Sequence, residues 1–311
     1  AARQGCPLIL GKGIGENFLA SDVLALRAVT DRFIYLEEGD LVDLRPDSID
    51  IWNIDEAAVI RADVRVEMEA DDMERGNYRH FMQKEMFQQP EVVKRVLEGR
   101  VGKDRVLDGA LGEGSQDLLR QVESVTIVAC GTSYLAGSVA RYWIEELAGL
   151  PCQVEIASEY RYRNPATQKN SLFITISQSG ETADTLAALR LAKESDFLAT
   201  LTLCNVPTST TVRQSDIAMM LNAGTEVGVA STKAFVAQTT ALLLVTLLLA
   251  RQRGLKAGLE EEIVQQLHQL PETIAELLKL DEPIAKLAEV FADKEHALYL
   301  GRGSFYPIAM E

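Results

Sequence analysis

Two hydroxyl-rich turns hold the residues of this chain best suited to chemistry. Cys130-Gly131-Thr132-Ser133 follows the apolar run Val125 to Ala129, and Ser177-Gln178-Ser179-Gly180-Glu181-Thr182 follows Leu172 to Ile176. In both, an apolar strand pattern gives way to a helical one. The first turn of a helix leaves backbone N–H groups unpaired and carries partial positive charge, so amides and hydroxyls can hold a dianionic phosphate there without a lysine. A third stretch, Gly228-Val229-Ala230-Ser231-Thr232-Lys233, again opens a helix behind a glycine. One such turn alone is an ordinary helix cap. Two or three at the strand ends of one sheet can converge on a single ligand. If three or four donors reach a phosphate at about 1.5–3 kcal/mol each, the gross gain is roughly 5–10 kcal/mol. After ordering and desolvation this corresponds to micromolar to millimolar binding, the range of a phosphorylated metabolite.

The elements that must position these turns form an α/β pattern. From about residue 122 to 250, near-continuous Val, Ile and Leu runs alternate with helical stretches at roughly 30-residue intervals, the spacing of βαβ units. Strands are expected near Val125–Ala129, Gln153–Ile156, Leu172–Ile176, Ala199–Cys204 and Ile217–Leu221, with helices at Leu135–Leu147, Thr182–Lys193 and Lys233–Arg251. Strands lacking polar alternation are buried on both faces, which implies a doubly wound parallel sheet flanked by helices. Ligands of such sheets bind outside the carboxyl ends of the strands.

Composition narrows the function. A chain of 311 residues with a net charge of −15 repels nucleic acid and anionic membrane surfaces, so neither is an expected partner and any anion must be held by local geometry. The four cysteines, Cys6, Cys130, Cys152 and Cys204, show no paired or metal-type spacing and read as reduced cytosolic thiols. Cys130 and Cys204 each close an apolar strand and are expected as small buried hydrophobes rather than nucleophiles. Three histidines are too scattered for a metal site. No apolar leader segment follows Ala1, and Ala241–Ala250 is too short to span a bilayer, so it is expected to be a core helix.

Ahead of the α/β region, residues 1 to about 60 alternate apolar runs with turns: Pro7–Leu10, Asn17–Ala20, Phe33–Leu36, Leu41–Leu44 and Ile49–Trp52. A hairpin is expected across Glu37-Glu38-Gly39-Asp40. The abrupt start without Met suggests the latter portion of a larger sheet domain. Residues from about 71 to 120 read as a helical linker. In it Tyr78, Phe81, Met82, Met86 and Phe87 serve packing, and Pro90 separates one helical pattern from a second over Val92–Leu97.

Four stretches together carry a resemblance: Cys130 to Ser133; Ser177 to Thr182; Asn222 to Lys233, with Glu226, Val229 and Ser231 inside it; and Tyr78-Arg79-His80-Phe81-Met82-Gln83-Lys84-Glu85. Over essentially all 311 residues the chain resembles the bacterial-type glutamine:fructose-6-phosphate amidotransferase family. The resemblance implies a sugar isomerase (SIS) doubly wound parallel sheet flanked by helices, preceded by the β-rich end of an N-terminal-nucleophile glutaminase domain. The implied boundaries are about 1–70 for the glutaminase portion, 71–120 for the linker, 121–255 for the first SIS domain, 256–295 for connecting helices and 296–311 for the start of a second SIS domain.

The family makes glucosamine 6-phosphate from fructose 6-phosphate and glutamine-derived ammonia, the entry to UDP-N-acetylglucosamine. The resemblance therefore implies an aminotransferase that is cytoplasmic, works as a homo-oligomer built on a dimer, and needs no dissociable organic cofactor or metal. Carried onto matching positions, Ser177, Ser179 and Thr182 would bind the phosphate, and Thr132, Ser133 and Gln178 the sugar. Ser231 and Val229 would close over the hydroxyls, with Cys130, Gly131 and Ala230 alongside; core packing is an equal alternative for Val229.

The sequence departs from the family in what it lacks. The amidase nucleophile is a cysteine bearing the free α-amine, whereas Ala1 stands first here, and Cys6 cannot combine thiol and α-amine on one residue. The family's general base, ring-opening histidine and imine-forming lysine are expected beyond Glu311, after Leu298–Ile308 opens the second SIS domain. This stretch is thus expected to bind sugar phosphate weakly without turnover. Glu181 and Lys233 tempt as substitutes, but Glu181 at a helix start is explained by capping and the dipole. The alternatives are a SIS-domain sugar-phosphate sensor, for which no basic helix-turn-helix is visible, and a stand-alone sugar-phosphate isomerase, for which the segment before residue 60 has no purpose.

Overall fold

The structure is a computed structural model that describes residues 1–66 and 74–311. Two compact units emerge, residues 1–70 together with 181–183, and residues 71–180 together with 184–311. The expected break between residues 70 and 71 lies outside the described residues.

The first unit carries β1 (Ile9–Lys12), β2 (Asn17–Ala20), β3 (Arg32–Tyr35), β4 (Leu41–Leu44), β5 (Ile49–Trp52) and β6 (Asp63–Arg65). β2, β1, β3 and β6 form an antiparallel sheet in that order, and β4 and β5 pair separately. Leu10, Ile34 and Leu36 bury one face of the larger sheet against Val42 and Ile51, while Ile9 and Phe33 bury the other with Leu26.

The hairpin expected across Glu37 to Asp40 does not form, because β3 pairs with β1 and β6 while β4 pairs with β5. The acidic turn instead passes the chain from one sheet to the other. Its end is fixed by Asp40, a buried carboxylate that accepts hydrogen bonds from Arg61 Nε at 2.9 Å, Arg61 Nη2 at 2.7 Å and the Glu37 amide at 2.7 Å. Burial pushes the Asp40 carboxyl up, but these donors outweigh it and hold it below the ordinary value.

The second unit contains α1 (Phe81–Leu97), α2 (Ser115–Gln121), β7 (Ser124–Ala129), α3 (Gly131–Trp143), β8 (Cys152–Ile156), α4 (Ala157–Tyr160), β9 (Ser171–Ser177) and α5 (Ala183–Lys193). It continues with β10 (Ala199–Cys204), α6 (Thr210–Gln214), β11 (Ile217–Met220), α7 (Lys233–Gln252), α8 (Leu259–Leu278), α9 (Asp281–Glu289) and α10 (Phe305–Met310). The five strands pair in parallel in the order β11-β10-β9-β7-β8. Every residue of β7, β9 and β10 is buried, as unalternating apolar strands require.

Alternate side chains feed two cores. Ile127, Ile174, Ile176 and Leu203 join residues of α1, α3, α7 and α8 on one face, and Val128 and Phe173 join Tyr160 of α4 and Leu189 of α5 on the other. This is the doubly wound α/β arrangement. The apolar run Ala241–Ala250 belongs to the 20-residue α7, which is long and apolar enough to cross a membrane but is mostly buried within the core.

Helix α1 departs from expectation in two ways. It runs unbroken through Pro90. Proline removes the N–H that would bond the carbonyl four residues back, and the neighbouring Gln89 supplies a substitute, its Nε2 donating to Met86 O at 2.9 Å. Two of the residues it buries are also charged: Lys84 and Glu85 are buried alongside Val92, Val93 and Val96, whereas Met82 is exposed and Tyr78 stacks on Phe87 with ring centroids 5.4 Å apart.

Since an interior proline costs a helix about 3 kcal/mol and the Gln89 bond offsets roughly 1 kcal/mol of that, Pro90→Ala is expected to stabilise the chain by about 2 kcal/mol in urea unfolding. Gln89→Ala should lower stability by about 1 kcal/mol. An unchanged midpoint in Pro90→Ala contradicts the compensation described.

Candidate functional site

The sheet order dictates where a ligand can sit. From β7 the chain crosses to β8 on one side, and β9, β10 and β11 then build outward on the other. The winding therefore reverses between β7 and β9, and at such a reversal the two connections leave in opposite directions and open a crevice beyond the carboxyl ends. Val128 of β7 pairs with Thr175 of β9. The two hydroxyl-rich turns leave these neighbouring strands, whose backbones lie about 4.8 Å apart.

The turn after β9 is built tightly. Ser177, 4% exposed, accepts the Gly180 N–H on its Oγ at 2.9 Å, which leaves the hydroxyl hydrogen to donate. Gln178 O accepts from Asn205 N at 3.3 Å and Gly180 O from Thr211 N at 3.2 Å, so the turn is anchored on the β10–α6 connection. Gly180 has φ +66°, and a Cβ there would overlap Ser209 Oγ and come within 2.6 Å of Cys204 Sγ. Only glycine fits. Gln178 and Ser179 are half-buried. Thr182, exposed, is counted with the first unit and is not brought into this turn's geometry.

The turn after β7 opens α3 with Cys130 at the N-cap, which makes no side-chain capping bond. Gly131 is exposed and Thr132 and Ser133 are half-buried. Ser133 Oγ accepts from Gln238 Nε2 of α7 at 2.9 Å. Gln238 is 1% exposed and its Oε1 is without a partner. That bond ties the start of α3 to the start of α7 and again leaves a serine hydroxyl hydrogen free to donate. Thr132 Oγ1 donates to Glu311 Oε1 at 2.7 Å.

The third stretch behaves differently. Glu226 Oε1 accepts the N–H groups of Thr232 and Ala234, both at 3.0 Å, and its Oε2 accepts from Ser231 Oγ at 2.9 Å. The N-terminus of α7 is therefore already satisfied by the protein's own carboxylate and does not take a phosphate. Ser231 donates its hydrogen inward and presents lone pairs, the polarity that suits a sugar hydroxyl. Val229 is 107% exposed, which rules out core packing for it, and Ala230 is exposed too. Lys233, 1% exposed, donates from Nζ to Gln88 Oε1 of α1 at 2.7 Å.

The structure thus links Ser133 with the start of α7 and sets Cys130–Ser133 beside Ser177–Ser179 at one sheet edge. Sequence reasoning missed Gln238, Glu226 and Glu85 as the groups that hold these loops. Glu226 and Glu85 lie within the quoted motifs, but nothing in a single sequence marks a carboxylate as buried.

With this geometry in view, the comparisons with known proteins are specific. Residues 118–248 match the SIS domain family. The whole chain is 57% identical over 312 residues to a glutamine–fructose-6-phosphate aminotransferase (isomerizing) of Pseudomonas putida and 54% identical over 311 residues to that of Escherichia coli; it covers 51% of each. A solved structure of the C-terminal domain of glucosamine-fructose-6-phosphate aminotransferase from Francisella tularensis superposes with TM-score 0.73 at 43% identity, over 76% of this chain and 66% of that one. The fold and the match define the second unit's sheet region as a SIS domain. Along its whole length the chain is similar to glutamine–fructose-6-phosphate aminotransferases, and it spans about half the length of the curated relatives it matches.

The cysteines provide a check on the packing, with Cys204 closest to the turn after β9. Cys6 is exposed, Cys130 half-buried, and Cys152 and Cys204 buried. Burial pushes the Cys152 thiol up to about 12 and raises that of Cys204, against hydrogen bonds from Ser209 and neighbouring amides. A raised thiol holds little thiolate at pH 8. Iodoacetamide at that pH is expected to modify Cys6 first, Cys130 more slowly, and Cys152 and Cys204 only on unfolding, as read by peptide mass. Gly180→Ala should make Cys204 reactive in the folded protein; a Cys204 that reacts in the parent chain contradicts the packing.

Proposed function

We propose that the protein is an isomerizing aminotransferase that makes glucosamine 6-phosphate from fructose 6-phosphate and glutamine-derived nitrogen. In this reading the SIS domain of this chain holds the sugar phosphate. The observation that carries it is identity above one half along the entire chain with relatives so named, joined to donor-rich turns at the reversal of the sheet. The β-rich first unit is read as the end of the glutaminase domain, residues 71–120 as the linker, 256–295 as connecting helices and 296–311 as the start of the second SIS domain. The working form is read as a cytoplasmic homodimer.

Within the crevice, Ser177 and Ser179 with the amides of their turn take the phosphate. Ser177 donates because its lone pair already accepts from Gly180 N. Ser133, polarised by Gln238, donates to a sugar oxygen, with Thr132, Gln178, Cys130 and Gly131 around it. Ser231 accepts from a sugar hydroxyl, beside Val229 and Ala230. The acid–base groups of the reaction are read as lying outside residues 1–311, so this stretch binds without turning over.

Calorimetry with fructose 6-phosphate tests the reading. The chain should bind in the micromolar to millimolar range, and Ser179→Ala should weaken binding tenfold or more, as loss of a charged hydrogen bond of about 1.5–3 kcal/mol requires. Unchanged affinity in that variant removes Ser179 from the phosphate site. Formation of glucosamine 6-phosphate from fructose 6-phosphate and ammonia by residues 1–311 alone contradicts the placement of the acid–base groups.

A further inference from the structure

The loop bearing Ser231 is held from outside the SIS domain. Glu85 of α1, 2% exposed, accepts from Val227 N at 2.6 Å and from Gly228 N at 3.0 Å on Oε1, and from Gly228 N at 3.3 Å on Oε2. The approach is so close that a Cβ at Gly228 would overlap Glu85 Oε2. One turn along α1, Gln88 accepts from Lys233 Nζ at 2.7 Å. A single face of α1 therefore grips the segment between β11 and α7 at its middle, Val227-Gly228, and where it enters α7, at Lys233.

Burying a carboxylate is unfavourable unless its lone pairs are engaged. Glu85 engages them on backbone N–H groups of a segment that forms no helix or strand and so cannot satisfy them itself. Packing alone does not call for a carboxylate at this point, since apolar side chains on α1, α7 and α8 already supply that core. What the carboxylate adds is a fixed position for residues 227–231 and for the acceptor that Ser231 presents.

We propose that Glu85 is a positioning residue for the sugar-binding side of the site: through Val227 and Gly228 it sets where Ser231, Val229 and Ala230 stand over the ligand, without touching the phosphate. This rests on the sugar-phosphate reading above. The phosphate turn is anchored separately, on Asn205 and Thr211, so disturbing Glu85 should divide the ligand energetically, weakening the hold on the sugar and sparing the phosphate.

Two probes read by calorimetry, fructose 6-phosphate and inorganic phosphate, test that division in the 311-residue chain, with hydrogen exchange at the Val227–Ser231 amides as a third readout. Glu85→Ala is expected to lower fructose 6-phosphate affinity about tenfold, to leave inorganic phosphate within twofold, and to speed exchange in the loop at least tenfold. Gly228→Ala, which displaces the carboxylate from the other side, should reproduce this pattern. Glu85→Gln keeps one acceptor and should lose only about threefold in sugar-phosphate affinity, and it decides the matter if Glu85→Ala fails to fold. Equal losses for the two probes, or unchanged fructose 6-phosphate affinity in the folded variants, overturn the proposal. If the parent chain binds neither probe, the sugar-phosphate reading fails instead, while the exchange data still report whether Glu85 holds the loop.

Discussion

The reversal of winding between β7 and β9 is the constraint on which the rest of this site depends. A parallel sheet buried on both faces offers polar ligands little except its edges and the ends of its strands. Where successive crossovers leave toward opposite sides, their first turns separate and expose amides that no neighbouring helix covers. In this chain that place falls between Ala129 and Ser177, and both connections beyond it are rich in hydroxyls. In the proposed reading, a negatively charged protein thereby gains a local site for an anion with backbone dipoles and serine O–H groups, in spite of a field of the wrong sign at long range.

The hydrogen-bond directions of the three serines divide the labour. Ser177 and Ser133 each accept an N–H from the protein, so each has a hydrogen left to give. Ser231 gives its hydrogen to Glu226 and keeps lone pairs for a donor. A phosphate ester of a polyhydroxy compound needs both kinds of partner, donors at its anionic end and acceptors along its hydroxyls. In the proposed reading the carboxylate of Glu226 enforces the separation, because it occupies the start of α7, which would otherwise compete for the anion.

Much of this was legible in the sequence, and the exceptions have identifiable causes. The five parallel strands were readable because runs such as Leu172–Ile176 are nearly all apolar without alternation, and only burial on both faces tolerates that. The strand-to-helix turns were readable from glycine and hydroxyl residues at the transitions. What failed were the features decided by distant partners. The turn at Glu37–Asp40 has hairpin chemistry, but Asp40 is claimed by Arg61, twenty-one residues away. Pro90 has helix-breaking chemistry, but Gln89 replaces the missing donor. Glu85 looks like a solvated helix position until Val227 and Gly228 arrive 142 and 143 residues later to use it. Local pattern specifies elements, whereas the pairing of buried polar groups is a property of the folded chain.

The central claim, that strand-end turns from different parts of the chain meet on one small ligand, is tested most directly by a residue-resolved amide NMR titration of the 311-residue chain with fructose 6-phosphate. The account predicts that the amides of Gly131–Ser133, Gln178–Gly180 and Val229–Thr232 shift together along one binding curve with a common Kd. Shifts confined to a single turn, or curves with different midpoints for the three segments, would contradict it.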